Sequence, residues 1–278
     1  MDLSEFIKYA LQEDIGDGDH SSLACIPESA IGKAQLIIKE DCIIAGIDLA
    51  EKIFHHISPQ IKFSVFLNDG KNTKKGDIAF FVEGKTQDIL KGERLVLNCM
   101  QRMSGIATNT RKMVNAVHGT KAKILDTRKT TPNFRVFEKK AVKIGGGENH
   151  RFGLYDMILI KDNHVDYAGG ISRAILSSKK YLNDNNRNLK IEIEARNIEE
   201  VKEIVSLGGI NRIMLDNFSI ENTREAVKII SNKYEIETSG NITIENIRSY
   251  AECGVDYISV GGLTHSYKSI DLSLKAVK

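Results

Sequence analysis

The chain has 278 residues, 41% hydrophobic and 27% charged, with 39 Lys and Arg against 37 Asp and Glu for a net charge of +2. Such proportions belong to an ordinary globule of one large or two unequal domains, and the near-neutral balance argues against a general nucleic-acid binder. The apolar runs, such as Leu36–Ile38 and Met157–Ile160, are too short to span a bilayer.

The first predicted element is a helix over Ser4–Glu13, with Phe6, Ile7, Ala10 and Leu11 on one face. Strands are expected at Lys33–Ile44, Ile61–Leu67 and Asp77–Glu83, with turns at Asn68-Asp-Gly70 and Lys75-Gly76. A long helix should follow from Thr86 to about Val117, burying Leu90, Leu95, Leu97, Met100, Met103, Ile106 and Ala107. Gly105 within it marks either a break or a close packing contact. From about residue 121 the pattern becomes strand, helix, strand. The strand candidates are Ala122–Leu125, Met157–Ile160, Lys190–Ile193, Arg212–Leu215, Tyr234–Ile236 and Tyr257–Val260. Such alternation implies parallel strands with right-handed crossovers. Six units are fewer than the eight of a closed βα-barrel, so an incomplete (open) α/β barrel is expected, with a doubly wound open sheet as the alternative.

Each of these strands ends in polar or glycine residues: Asp126-Thr-Arg-Lys129, Lys161-Asp-Asn-His164, Glu194-Ala-Arg196, Asp216-Asn217, Glu237-Thr-Ser-Gly240 and Gly261-Gly262. Barrel active sites sit at that end. The window Lys123–His164 holds nine Lys and Arg against five Asp and Glu, so the cationic excess is local. Arg128, Lys129, Arg151 and Lys161 are expected to converge on one small, multiply anionic ligand rather than to decorate loops. Glu194 and Asp216 either hold Mg²⁺, directly or through water, or pair with the cations; Glu192, two residues earlier, faces the same side and competes with Glu194. Ser239-Gly-Asn241 and Gly261-Gly262 suit phosphate at helix starts, although each is also compatible with a tight turn. Gly145-Gly-Gly147 permits close backbone approach or a hinge. His150 is placed to orient a carboxylate, whereas His164 and His265 read as hydrogen-bonding loop residues. The scattered cysteines Cys25, Cys42, Cys99 and Cys253 read as reduced thiols. Met1-Asp-Leu-Ser-Glu-Phe6 has no basic stretch leading into an apolar one, so a cytoplasmic location is expected.

These motifs, with Glu13-Asp-Ile-Gly-Asp-Gly-Asp19, Gly92-Glu-Arg94, Ser104-Gly-Ile-Ala-Thr108, Asn149-His-Arg151, Leu215-Asp-Asn-Phe218 and Thr264-His-Ser266, make the chain resemble the quinolinate phosphoribosyltransferases over nearly its whole length. The resemblance implies an N-terminal α/β sandwich with a long connecting helix in residues 1–120, an incomplete barrel in 121–265, and a C-terminal segment, 266–278, packing back on the first domain. It implies transfer of a phosphoribosyl group from phosphoribosyl pyrophosphate to quinolinate with loss of CO₂, Mg²⁺ as cofactor, and a homodimer.

By motif position, Arg128, Arg151 and Lys161 would hold the quinolinate carboxylates, with Thr127 and His150 nearby. Lys129, with Lys161, would serve the phosphoribosyl pyrophosphate. Glu194 and Asp216 would face the ribose and the metal. Ser239, Gly240, Asn241, Val260, Gly261 and Gly262 would cradle the 5′-phosphate, and Arg94 would reach into the site of the other subunit. Catalytic roles would fall to Lys129, Lys161, Glu194 and Asp216. Two positions depart from the family pattern: Asn133 stands after Pro132 where glycine is usual, and Glu194-Ala-Arg196 replaces the common acidic ending. Rival readings are a molybdenum-transport-associated paralogue of unassigned substrate, a phosphosugar aldolase or isomerase, and a non-catalytic phosphoribosyl-ligand sensor.

Overall fold

The computed structural model describes residues 2–277. In chain order it runs α1 (Leu3–Ile15), α2 (His20–Cys25), β1 (Ile31–Ile38), β2 (Cys42–Ile43), α3 (Ile47–Ile57), β3 (Lys62–Val65), β4 (Asn72–Thr73), β5 (Ile78–Lys85) and α4 (Thr86–Ala116). Then follow β6 (Lys123–Leu125), α5 (Arg135–Gly145), β7 (Ile158–Ile160), α6 (Asp162–Ala168), α7 (Ile171–Asp184), β8 (Ile191–Ala195), α8 (Ile198–Leu207), β9 (Arg212–Asp216) and α9 (Ile220–Ile230). The chain closes with β10 (Glu235–Ser239), α10 (Ile247–Ala251), β11 (Tyr257–Ser259), α11 (Gly262–His265) and β12 (Leu272–Ala276). Two compact units share these elements, and no single cut in the chain separates them. One holds the chain up to Arg111, Thr130–Gly146 and the chain from Thr264; the other holds Lys112–Lys129 and Gly147–Leu263.

In the first unit, α1 begins on a reciprocal cap: Asp2 Oδ1 accepts the Glu5 amide at 2.8 Å and Glu5 Oε2 accepts the Asp2 amide at 2.9 Å. The sheet is antiparallel in the order β12-β1-β5-β3. The predicted strand Lys33–Ile44 is two strands, broken at the polar Lys39-Glu-Asp41, where Asp41 instead accepts Lys74 Nζ and the Lys75 amide. The half-buried Phe63 packs against the buried Phe54 and Phe80, its ring centroid 4.4 Å from that of Phe80. Helix α4 buries Leu97, Met100, Met103, Ile106 and Ala107 as expected, but Leu95 is half-buried and Leu90 is 37% exposed. Gly105 marks packing rather than a break, because a Cβ there would lie 2.2 Å from the Lys268 carbonyl oxygen. Asn133 takes φ +62°, a left-handed value that Asn tolerates better than most residues.

The second unit is a six-stranded parallel sheet in the order β6-β11-β10-β9-β8-β7. A doubly wound sheet would reverse its strand order at a switch point. Here the order is cyclic, with β6 beside β11 and no β6–β7 pairing, which is an open barrel. Beside β6 runs one further stretch of extended chain: the Glu148 amide donates to Ile124 O at 2.8 Å, and Asp126 N–H donates to Glu148 O at 3.2 Å.

Candidate active site

Strand alternation sorts the residues of the open barrel into two faces. Ile124, Ile160, Ile191, Ile193, Ile213, Leu215, Ile236 and Ile258 fall on one face and are all buried. The other face carries Lys161, Glu192, Glu194, Arg212, Asp216, Glu237, Ser239 and Ser259, matched across the sheet by register pairs such as Ser239↔Asp216 and Glu192↔Arg212. The bore is therefore polar. A cavity of about 350 Å³ opens in it, lined by Thr127, Arg128, Lys129, His150, Arg151 and Lys161, by Glu194, Asp216, Glu237, Ser239 and Ser259, and by the apolar Leu159 and Met214.

The four cations expected at the strand ends, Arg128, Lys129, Arg151 and Lys161, all reach this cavity. Lys129 N–H donates to Thr127 Oγ1 at 3.1 Å, turning the chain after β6. The buried carboxylate of Asp126 accepts the His150 amide at 2.9 Å, which fastens the extended segment to the same strand end. Arg151 follows, its Nη1 donating to Met157 O at 3.2 Å. Burial, and next the neighbouring charge of Arg128, hold the Arg151 guanidinium below its ordinary pKa. Lys161 Nζ is ion-paired to Glu194 Oε1 at 2.7 Å. His164 stays outside the cavity lining and accepts the Lys161 amide through Nδ1 at 2.9 Å, capping α6.

Of the remaining predicted residues, Asp216 lies on the cavity wall with Oδ2 accepting Asn217 Nδ2 at 2.9 Å, and Asn217 Oδ1 accepts Asn241 Nδ2 at 3.1 Å. Gly240 has φ +95°, and a Cβ there would meet Asn217 Oδ1 at 2.2 Å. Gly240, Asn241, Val260, Gly261 and Gly262 are not among the lining residues of the cavity; they follow Ser239 and Ser259, which are. Arg94 is exposed on α4 in the first unit and is not part of the lining.

Sequence reasoning gave no role to Arg212 or Glu237 and treated Glu192 only as a competitor of Glu194. The structure joins them beneath the cations. Arg212 Nη1 lies 2.9 Å from Glu237 Oε2, and His150 Nε2 lies 3.1 Å from Glu192 Oε2 and 3.5 Å from Glu237 Oε2. Both glutamates are fully buried. Burial pushes the Glu192 carboxyl up to about 7 against the pull of Arg212; burial and then Glu192 push Glu237 up to about 7. Arg212 is also raised, for the opposite reason: burial disfavours its charge, but Glu192, Glu237 and Glu235 outweigh that. His150, Glu192 and Glu237 bring three ligand atoms within 4.8 Å, a spacing that a metal ion could bridge. The Arg212 guanidinium already supplies the cation there. The clue in the sequence was Ile191-Glu-Ile-Glu-Ala195, where two acids occupy one face of an otherwise apolar strand.

A family model for the "Quinolinate phosphoribosyl transferase, N-terminal domain" matches residues 19–104, and one for the C-terminal domain matches residues 106–275. A quinolinate phosphoribosyltransferase [decarboxylating] of Nicotiana tabacum is 46% identical, over 99% of this chain and 82% of its own. A probable nicotinate-nucleotide pyrophosphorylase [carboxylating] of Bacillus subtilis is 38% identical, over 99% of this chain and 93% of its own. The crystal structure of the nicotinate-nucleotide pyrophosphorylase of Ehrlichia chaffeensis superposes with a TM-score of 0.93 at 38% identity, covering 100% of this chain and 99% of that one.

Proposed function

The chain belongs to the quinolinate phosphoribosyltransferase family, and from that premise we infer that it transfers the phosphoribosyl group of phosphoribosyl pyrophosphate to the ring nitrogen of quinolinate. CO₂ is lost, and nicotinate mononucleotide and pyrophosphate form. The carrying observation is the pair Arg128 and Arg151, two like charges held near enough in one cavity for the first to depress the second. Such a pair suits an anion with more than one negative group. Arg128, Arg151 and Lys161 match two ring carboxylates, and planar guanidinium forks suit carboxylate oxygens. Phosphoribosyl pyrophosphate would then enter beside Lys129, Asp216 and Ser239, with Gly240, Asn241, Gly261 and Gly262 offering backbone to its 5′-phosphate.

No covalent enzyme intermediate is required. The residues position two anions that repel each other in water, and they stabilise the departing pyrophosphate by charge. Lys161 exchanges its ion pair with Glu194 for a substrate carboxylate, leaving the Glu194 carboxylate facing the cationic ribose carbon. Mg²⁺ fits the donor set: Glu194 and Asp216 are carboxylates on one wall beside the expected phosphate path, and magnesium commonly takes one or two carboxylates and completes its shell with phosphate and water. When bound, it would neutralise pyrophosphate charge. We also place Arg94 in the site of the other subunit of a homodimer, and the reaction in the cytoplasm, which the four unlinked cysteines support.

The test is an assay of pyrophosphate and nicotinate mononucleotide formation with quinolinate, nicotinate and nicotinamide in turn, each with phosphoribosyl pyrophosphate and Mg²⁺. Product from quinolinate alone is expected. Comparable turnover of nicotinate would reject the dicarboxylate grip, and an unaltered Mg²⁺ titration in Glu194→Gln and Asp216→Asn would remove both from metal placement.

A further inference from the structure

Loss of CO₂ from the nucleotide leaves an electron pair on the ring carbon beside the quaternised nitrogen, and that carbon must receive a proton. The lining of the cavity restricts the donor. A cation against the departing carboxylate would hold it in place, so the cations that grip the substrate are poor candidates. A neutral acid beside apolar wall favours the loss of charge. Of the lining acids, Glu194 is a carboxylate paired with Lys161 that is left facing the ribose carbon when Lys161 turns to substrate, and Asp216 lies at the outer end of β9. Glu237 is fully buried yet reaches the lining, and it pairs in register with the apolar Met214.

We propose that Glu237 is the general acid that protonates the ring carbon vacated by the carboxylate; this rests on the decarboxylating reading above. As the C–C bond breaks and CO₂ leaves, its electron pair passes to the ring carbon and takes the Glu237 proton in the same step: the O–H bond breaks while the new C–H bond forms, and the carboxylate left behind takes a proton from water as product departs.

The surroundings of Glu237 keep that proton in place. It faces Glu192 on β8, Arg212 on β9, the Ser259 hydroxyl on β11 and His150 in the segment after α5. The Glu192 and Glu237 carboxyls bring oxygens within 4.8 Å of each other in a buried pocket, and two acids so placed are relieved of their repulsion when one carries a hydrogen. Without it, both Glu192 oxygens and Glu237 Oε1 lack an aligned donor among the described residues, and one guanidinium would face two buried negative charges. Burial and Glu192 set the Glu237 carboxyl at about 7, so it holds its proton near neutrality and can release it. His150 is a poor alternative: Nδ1 accepts the Arg151 amide at 2.7 Å, and Nε2 faces the two carboxyls.

The experiment is a single turnover with quinolinate, phosphoribosyl pyrophosphate and Mg²⁺, following pyrophosphate and CO₂ separately. In Glu237→Gln the ratio of CO₂ release rate to pyrophosphate release rate should fall about 100-fold, a typical general-acid contribution. The dicarboxylated nucleotide should accumulate by mass. CO₂ appearing in step with pyrophosphate, as in the unsubstituted enzyme, overturns the proposal. If Glu237→Gln does not fold, the unsubstituted enzyme decides: CO₂ release should lag pyrophosphate release increasingly as pH rises from 6 to 9, and a constant ratio overturns the proposal. Failure of the unsubstituted enzyme to release pyrophosphate with quinolinate would instead reject the function on which the proposal rests.

Discussion

The carboxylate of Asp126 accepts the backbone N–H of His150 at 2.9 Å, so the end of β6 and the segment carrying Arg151 are one structural piece. Arg128 lies two residues beyond one end of that bond and Arg151 one residue beyond the other. Asp126→Ala leaves a buried amide without its acceptor, at a cost of about 1–3 kcal/mol. Urea unfolding should show that loss, with kcat/KM for quinolinate falling at least as steeply. Asp126→Asn keeps an acceptor and should lose less on both counts. An unshifted midpoint in Asp126→Ala would mean that the bond holds nothing in place.

Arg128→Lys keeps the charge and loses the planar fork. We expect kcat/KM for quinolinate to fall by about 10²-fold, the equivalent of two charge-assisted hydrogen bonds weakened. Steady-state kinetics at saturating phosphoribosyl pyrophosphate will read it. A value near that of the unsubstituted enzyme would reduce Arg128 to a contribution to the general field.

Glu237 gives stability a pH dependence of definite sign. Its carboxyl is raised from 4.5 to about 7 in the folded state, so folding favours the protonated form. Its contribution is complete below about 4.5 and is lost as pH rises through about 7, with a slope of at most ~1.4 kcal/mol per pH unit. Urea midpoints measured from pH 5 to pH 8 should therefore decline, and Glu237→Gln should flatten the decline. A slope unaltered by the substitution would assign it to other groups.

Gly240→Ala places a methyl group 2.2 Å from Asn217 Oδ1 at φ +95°. Asn217 holds Asp216 Oδ2, so displacing it disturbs the wall carrying that carboxylate. Backbone strain of this kind costs roughly 1–3 kcal/mol. The melting temperature should drop, and KM should rise for phosphoribosyl pyrophosphate more than for quinolinate. Equal rises for both substrates would argue against a phosphate cradle here.

Sharing of the site can be tested by complementation. Arg94→Ala and Lys161→Ala should each be nearly inactive alone. If Arg94 acts across a homodimer, a mixed dimer holds one site with both defects and one with neither. Random exchange makes about half the dimers mixed, so roughly a quarter of full activity should return. No recovery in mixed dimers verified by mass would place Arg94 in its own subunit's site or in none.

The six strand ends were legible because each closes a short strand-forming run with polar residues or a glycine pair, and the cations among them mark the cavity. Two features were obscure for physical reasons. Arg212 opens its strand, a position that resembles a solvent-facing start; only the fold shows the guanidinium turned toward Glu237. Glu192 and Glu237 lie on different strands, 45 positions apart in the sequence, and nothing local in either segment announces that a parallel sheet will face them together. Helix α5 was covered by the expected rhythm, but its assignment to the first compact unit depends on contacts distant in sequence, such as Lys140 with Asp48 and Glu138 with Arg102.

An eight-stranded barrel commonly fills its bore with branched apolar side chains. This one lines its bore chiefly with acids, bases and hydroxyls, Leu159 and Met214 apart, and turns its run of buried isoleucines to the opposite face. Cohesion and chemistry thus occupy opposite sides of the same strands. Changes on the outer face should move melting temperature and leave turnover alone. Trimming the polar bore toward leucine and valine should harden the fold while extinguishing the reaction, so directed selection for heat resistance would, if unchecked, silence this enzyme from the inside.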